Sequence, residues 1–350
     1  LKAFLLKALK FAGFLAIGIV LLYFAFRGFS FDTLWNDLKD ANYAWVFLSL
    51  FFSLIAFFSR AIRWMLLIEP LGFKPGLFNT FNSLMVGYLA NFAFPRLGEI
   101  TRCATLARKE KIAVDKLIGT VILERAVDVL SLVILLIILI IFRFETFGSF
   151  FRESIFIPLG EKLSGVFNLS MFLWIGTGLL LISLVVLYLV LRKRIAHFKF
   201  VIRMKSLVRG IIDGLKTIYH MKKRWKFVFH SVFIWIMYWL MTWVLVFSLP
   251  STSQLDIIDG LFILVIGGLG MSAPVQSGIG AYHWIVSRGI ASVYPAISLE
   301  QGLVFATISH TSGAFFAIGL GTLSFFLLLR KSSRSKAAEL NRESGEALTA

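Results

Sequence analysis

Six charged residues sit in stretches of sequence that are otherwise apolar, and they are the residues best able to do chemistry. They are Arg96, Glu99 and Arg102 in one segment, then Glu124, Arg125 and Asp128 in the next. The first three recur every third residue, so on a helix they share one face. Glu124 and Asp128, four apart, also face one way. A guanidinium suits phosphate, because its planar fork makes two parallel hydrogen bonds to one oxyanion. Carboxylates beside it fix its position. Two readings of the group stand at this point. Glu99–Arg102 and Glu124–Arg125 are interhelical ion pairs that lock the hairpin, or the carboxylates hold arginines whose remaining N–H groups grip an anionic head group. Asn91, Pro95 and Gly98 bracket the first trio, and a helix starting behind Pro95 adds backbone donors and a positive dipole end. Arg60 and Arg63, near the end of an earlier apolar run, are expected to snorkel to the lipid head groups.

A second polar segment is less charged. Pro274, Gly278 and Gly280 interrupt it, and Gln276, Tyr282, His283 and Arg288 follow. His310, with Ser309 and Thr311, lies in the next apolar run. A histidine at such a depth is either a packed and satisfied side chain or a contact for a polar group. His283 and His310 join Pro274, Gly278 and Gly280 as candidate binding residues. No Gly-rich nucleotide loop, nucleophile elbow or aspartate-rich loop appears, so no catalysis and no cofactor is expected. Cys103 is the only cysteine and the five histidines lack paired spacing, so neither a disulfide nor a metal site is expected.

The elements that must carry these residues follow from composition. Hydrophobic residues make up 58% of the 350 and charged residues 16%. One soluble core could not hide so much apolar surface, whereas a bilayer can solvate it. Apolar runs of about 20 residues match a hydrocarbon layer about 30 Å thick. Ala3–Phe26, Ala44–Ile68, Leu117–Phe142, Met171–Leu191, Phe227–Leu249 and Leu299–Leu329 are the expected spans. In hydrocarbon only helix satisfies the backbone internally, so the fold is all-α. Leu77–Ala107 and Ile257–Ala291 are broken by Pro and Gly and read as re-entrant helical hairpins.

The expected architecture is therefore a polytopic all-α membrane protein with about six full spans and two re-entrant hairpins. It divides into an anchor (1–43), a first span–hairpin–span unit (44–142), a connecting region (143–226), a second such unit (227–329) and a basic tail (330–350). The net charge of +17 lies mainly in loops, and the linker Arg192–Lys226 alone holds twelve lysines and arginines. That distribution argues against nucleic acid. It favours an amphipathic, inner-leaflet linker with both termini cytoplasmic. Under this orientation the first unit starts outside and the second inside, which makes the two inverted, a plan recurrent in transporters.

The stretch Asn91-Phe-Ala-Phe-Pro95-Arg96-Leu-Gly98-Glu99-Ile-Thr-Arg102, with Glu124-Arg125-Ala-Val-Asp128, resembles the signature of the lysylphosphatidylglycerol synthase transmembrane-region family, also called the flippase-like domain. The segment Pro274–Gly280 is similar to its second signature. The resemblance implies a prokaryotic inner-membrane protein that translocates a lipid or lipid-linked head group. Its expected partners are membrane lipids, either anionic phospholipid or polyprenyl-phosphate-linked, and an oligomer is compatible with it. The chain ends about twenty residues past its last span, so lipid aminoacylation by an attached synthetase domain is not expected. The family often has a carboxylate where this chain has Tyr282-His283. A membrane-embedded transferase acting on a lipid-linked sugar, or a non-transporting partner of the cell envelope, is the alternative.

Overall fold

The computed structural model describes residues 16, 18–26, 31–95, 97–142, 221–273 and 275–349. Every regular element among them is helical: α1 (residues 18–26), α2 (Phe31–Asp40), α3 (Tyr43–Ile68), α4 (Leu77–Ala93), α5 (Leu97–Glu110), α6 (Val114–Phe142), α7 (Arg224–Leu245), α8 (Ile257–Met271), α9 (Ala281–Val293) and α10 (Leu299–Thr349). Among the described residues, four stretches are long and apolar enough to cross a membrane: Tyr43–Leu71, Val114–Phe142, Arg224–Ser248 and Leu299–Arg330. These coincide with four of the six expected spans. Of the other two, Met171–Leu191 lies outside the described residues, and Ala3–Phe26 is described only at residues 16 and 18–26, which are helical. The linker Arg192–Lys226 is described only from Met221 onward. Residues 140–220 separate as a second compact unit, of which the described part is the last turn of α6.

Local chemistry sets the helix ends. The Asn42 side chain accepts a hydrogen bond from the Ala44 N–H at 3.1 Å and starts α3. Glu69-Pro70-Leu71 tightens into a 3₁₀ turn, and Gly72, at φ +87°, ends it in a left-handed conformation that glycine adopts without strain. Asp256 and Asp259 form a reciprocal capping box at the head of α8.

Pro and Gly divide each broken segment into two antiparallel helices. In the first, Gly76 N–H and Asn79 Nδ2 donate to Glu110 Oε1 at 3.1 and 2.7 Å, so the start of α4 meets the end of α5. At the other end of this hairpin Gly87 packs on Gly98, and a Cβ on Gly98 would overlap the Gly87 carbonyl oxygen. In the second, Tyr294 Oη donates to Asp259 Oδ1 at 2.6 Å, joining the start of α8 to the end of α9. Its turn carries Ser277, Gly278 and Gly280 at φ +47°, +75° and +80°, and the Gln276–Gly278 3₁₀ turn rests against α4.

The two leading helices, α3 and α7, lie antiparallel along most of their length. Asn42 N–H donates to the Ser248 carbonyl at 2.8 Å at one end, Ser59 pairs with His230 at 2.8 Å midway, and Lys223 meets Glu69 at 2.7 Å at the other. The end marked by Glu69–Lys223 also holds Lys74, Arg108, Lys109, Lys111, Lys116, Arg224 and Lys226. Lys109 Nζ there donates to the Leu328 carbonyl near the end of the apolar part of α10. The first hairpin opens at this basic end. The second opens at the end where Asn42, Ser248 and Asp256 lie.

α10 lies directly on α4, because Gly321 leaves room for the backbone there. A Cβ at Gly321 would stand 2.7 Å from Leu89 Cβ and 2.8 Å from the Met85 carbonyl oxygen. Gly321→Leu is therefore expected to destabilise the protein by about 1–3 kcal/mol through overpacking. A thermal melt in detergent checks this, with Gly313→Leu, where no described residue lies within 4 Å of the added Cβ, as the unaffected control.

Candidate functional site

The charged residues meet where α3, α5 and α6 converge, and the carboxylates of α6 form the centre. Glu124 is fully buried, with Arg60 Nη2 at 2.7 Å and Arg63 Nη2 at 3.3 Å from one oxygen, and Arg102 Nη2 at 3.0 Å from the other. One helical turn on, Asp128 takes Arg63 at 2.7 Å and Arg60 at 3.6 Å. Arg125 lies 3.5 Å from both Glu99 and Asp128. Glu124 and Asp128 thus act as one face, as their spacing predicts, and Glu99 and Arg102 both reach the cluster from the first hairpin.

Two sequence expectations change. Arg60 and Arg63 do not snorkel: Arg63 is 0% exposed and Arg60 nearly so. Their carboxylate partners come from a helix some sixty residues further along, and an ion pair in the interior outcompetes a head group at the boundary once those carboxylates are also shut away from water. The expected pairs Glu99–Arg102 and Glu124–Arg125 also exchange partners, giving Arg102–Glu124 and Arg125–Glu99. Residues adjacent on a helix point about 100° apart, so Glu124 and Arg125 cannot face the same neighbour.

Aromatic groups line the cluster, and the sequence reading missed them. The Arg102 guanidinium lies over Trp64 at 4.7 Å, and Arg60 lies over Tyr88 at 5.7 Å. Tyr238 accepts a hydrogen bond from Arg60 Nη1 at 3.1 Å, and Trp64 is pinned by donating its indole N–H to Thr120 at 2.9 Å. One signal pointed to Trp64: it lies four residues after Arg60 and next to Arg63. Tyr88 and Tyr238 had none, since their role depends on which helices become neighbours.

Among the described residues the cluster opposes four guanidinium groups, on Arg60, Arg63, Arg102 and Arg125, to three carboxylates, on Glu99, Glu124 and Asp128. Nε and Nη1 of both Arg63 and Arg102 are buried without a hydrogen-bond partner among the described residues. A buried donor left unmatched costs about 1–3 kcal/mol, so these N–H groups favour an added acceptor. The cluster is graded in exposure. Glu124 and Arg63 are sealed, while the Arg125 side chain is 42% exposed, with Glu99 beside it.

The hairpin holds Arg102 and Glu99 in place through small residues and one amide. Asn91 Oδ1 accepts the Gly98 N–H at 2.7 Å, capping the first turn of α5 from the neighbouring helix. Pro95 ends the connection just before that turn, and Arg96 lies outside the described residues. On the second hairpin Gly278 and Gly280 shape the turn, while Pro274 lies outside the described residues. His283 and His310 come together with ring centroids 4.9 Å apart, and the contacts of this pair are with Tyr282, Ser277 and Phe26 rather than with the arginines. The structure therefore gathers Glu99 and Arg102 with Glu124, Arg125 and Asp128 of α6 and sets the two histidines in a group of their own.

Four helical stretches among the described residues that are long and apolar enough to cross a membrane, with a buried arginine–carboxylate network, define a multi-pass membrane protein. Residues 11–332 match the family described as lysylphosphatidylglycerol synthase TM region, so this chain belongs to that family. No curated protein and no solved structure matches it.

Proposed function

We propose that this protein carries lipids with anionic head groups between the leaflets of a prokaryotic inner membrane, the head group held by the arginines around Glu124. One observation carries the reading: the guanidinium groups of the cluster outnumber its described carboxylates and keep unmatched N–H donors. An ion pair serving only to lock helices has no need of the surplus. Phosphate takes such donors well, because each guanidinium can offer it two charge-assisted bonds. The half-exposed Arg125–Glu99 pair is the outer contact, and the sealed Arg102 and Arg63 lie behind it.

Two broken helices are read as re-entrant hairpins, and the units 44–142 and 227–329 as inverted repeats. The antiparallel α3 and α7, with hairpins opening at opposite ends, support this arrangement. Discontinuous helices at a repeat interface form substrate sites in many transporters. The basic end is read as cytoplasmic, following the preference of lysine and arginine for that side. Gly278 and Gly280 shape the second turn. Asn91, Pro95, Arg96, Gly98, Glu99, Arg102, Glu124, Arg125 and Asp128 form or support the head-group site.

The test is leaflet exchange in reconstituted vesicles. Fluorescent phosphatidylglycerol and a labelled polyprenyl phosphate are offered, and the outer-leaflet label is then quenched. Exchange above that of protein-free vesicles for at least one anionic lipid, with a labelled lipid lacking phosphate left behind, is the expected result. Exchange of neither anionic lipid would remove the proposal.

A further inference from the structure

We infer that His283 and His310 form a proton-binding site that couples the second hairpin to translocation; this rests on the transport reading above. The two imidazoles face each other, and His283 is 4% exposed, with its Nδ1 buried and unpartnered among the described residues. His310 Nε2 lies 2.8 Å from the Ser277 carbonyl. A carbonyl only accepts, so Nε2 carries the hydrogen and Nδ1 of His310 keeps a lone pair free to take a proton. Uptake of one proton at that nitrogen gives an imidazolium beside a neutral imidazole. A second proton on the pair would place two like charges together in the interior.

Among the described residues the surroundings offer no charge to balance that proton. On α9 the neighbours are Tyr282, whose hydroxyl is bonded to Ser309 of α10 at 2.8 Å, and, further along, Arg288, which lies over Trp284 at 4.8 Å. The turn contributes Ser277 and Gln276, and α1 contributes Phe26 while its Tyr23 lies exposed. α4, on which the turn rests, has Tyr88 and no charged side chain, and the Asp259 of α8 lies at the far end of that helix, bonded to Tyr294. A cation shut in without a counter-ion is costly, so protonation favours an arrangement that lets water or an anion reach the pair.

The group that responds is already poised to move. The His310 bond ends on Ser277, a non-glycine residue held at φ +47° between Gly278 and the rest of the turn. Left-handed backbone at such a residue is costly and persists only where neighbours hold it. The bond from His310 is one such restraint. A proton on Nδ1 makes Nε2–H a charge-assisted donor, so uptake tightens this bond and loss of the proton loosens the turn against α4. Proton binding and hairpin position then become linked, and lipid movement can draw on a proton gradient.

Two readouts separate this proposal from the transport reading. In the unaltered protein in nanodiscs, nitrogen NMR of labelled imidazoles follows His283 and His310 directly, with no transport needed. As the pH is lowered, uptake of a single proton shared by the pair is expected. No change at either ring, or two rings titrating independently as exposed imidazoles do, would overturn the site. In vesicles, the ratio of labelled phosphatidylglycerol exchange with and without an imposed pH gradient should be at least about fivefold. It should fall to one in both His283→Gln and His310→Gln. A ratio of one in the unaltered protein, or an unchanged ratio in both variants, would refute the coupling. Loss of all exchange in the unaltered protein, with the shared proton still seen by NMR, would count against transport and leave the proton site standing.

Discussion

Glutamine in place of Glu124 is expected to cost the protein about 3–5 kcal/mol of stability, because it removes the one charge that three arginines share. Arg60, Arg63 and Arg102 all lie within 3.3 Å of its two oxygens, and all are nearly or fully buried. Glutamine keeps the shape and one carbonyl oxygen but carries no charge. Asp128 then faces Arg60 and Arg63 alone, and Arg102 loses its only carboxylate within 4 Å among the described residues. A loss of this size exceeds what most point substitutions produce. The expected result in a detergent melt is early unfolding, or failure to recover folded protein from the membrane. The substitution Glu124→Asp keeps the charge with a shorter reach and should fall between. Equal stability of the Gln variant and the unaltered protein would show that the arginines do not depend on this carboxylate.

The second large effect separates function from folding. Arg125→Ala removes a side chain that is 42% exposed and bonded at 3.5 Å to Glu99 and Asp128, contacts long and open enough to contribute little to stability. The folded protein should therefore persist. Lipid exchange should fall by at least about tenfold, because a lost charge-assisted bond to an anion costs about 1.5–3 kcal/mol. Arg125→Lys restores charge without the planar fork and should recover part of the rate. Arg102→Ala should also stop exchange, but with reduced stability, since Arg102 is sealed against Glu124 and Trp64. Size-exclusion profiles beside the exchange assay distinguish the two. Exchange undiminished in folded Arg125→Ala would mean that the open edge of the cluster plays no part in transport.

How much of this was legible in the sequence depends on whether the partners lie near one another along the chain. The four described spans followed from apolar length, and both helix breaks from Pro and Gly. The shared face of Glu124 and Asp128 followed from their four-residue spacing. Each of these rests on a local rule. The burial of Arg60 and Arg63 does not, because an arginine pair at the end of an apolar run has the same local sequence whether it snorkels or finds a carboxylate on another helix. The pairing of Arg102 with Glu124 rather than Glu99 is also set by helix packing, as is the choice of Tyr88 and Tyr238 as neighbours of Arg60. The joining of His283 to His310 depends on the fit of α9 against α10, which Gly302 permits by sitting against the Ser287 backbone. The types of residue in the site were visible in advance, but their partnerships were not.

The most direct measurement is an experimental map of the full chain in nanodiscs of phosphatidylglycerol. Phosphate density within hydrogen-bonding reach of Arg125 or Arg102, between the first hairpin and α6, is the expected result. Arginines satisfied by their own carboxylates alone, with lipid confined to the outer surface of the bundle, would contradict the account.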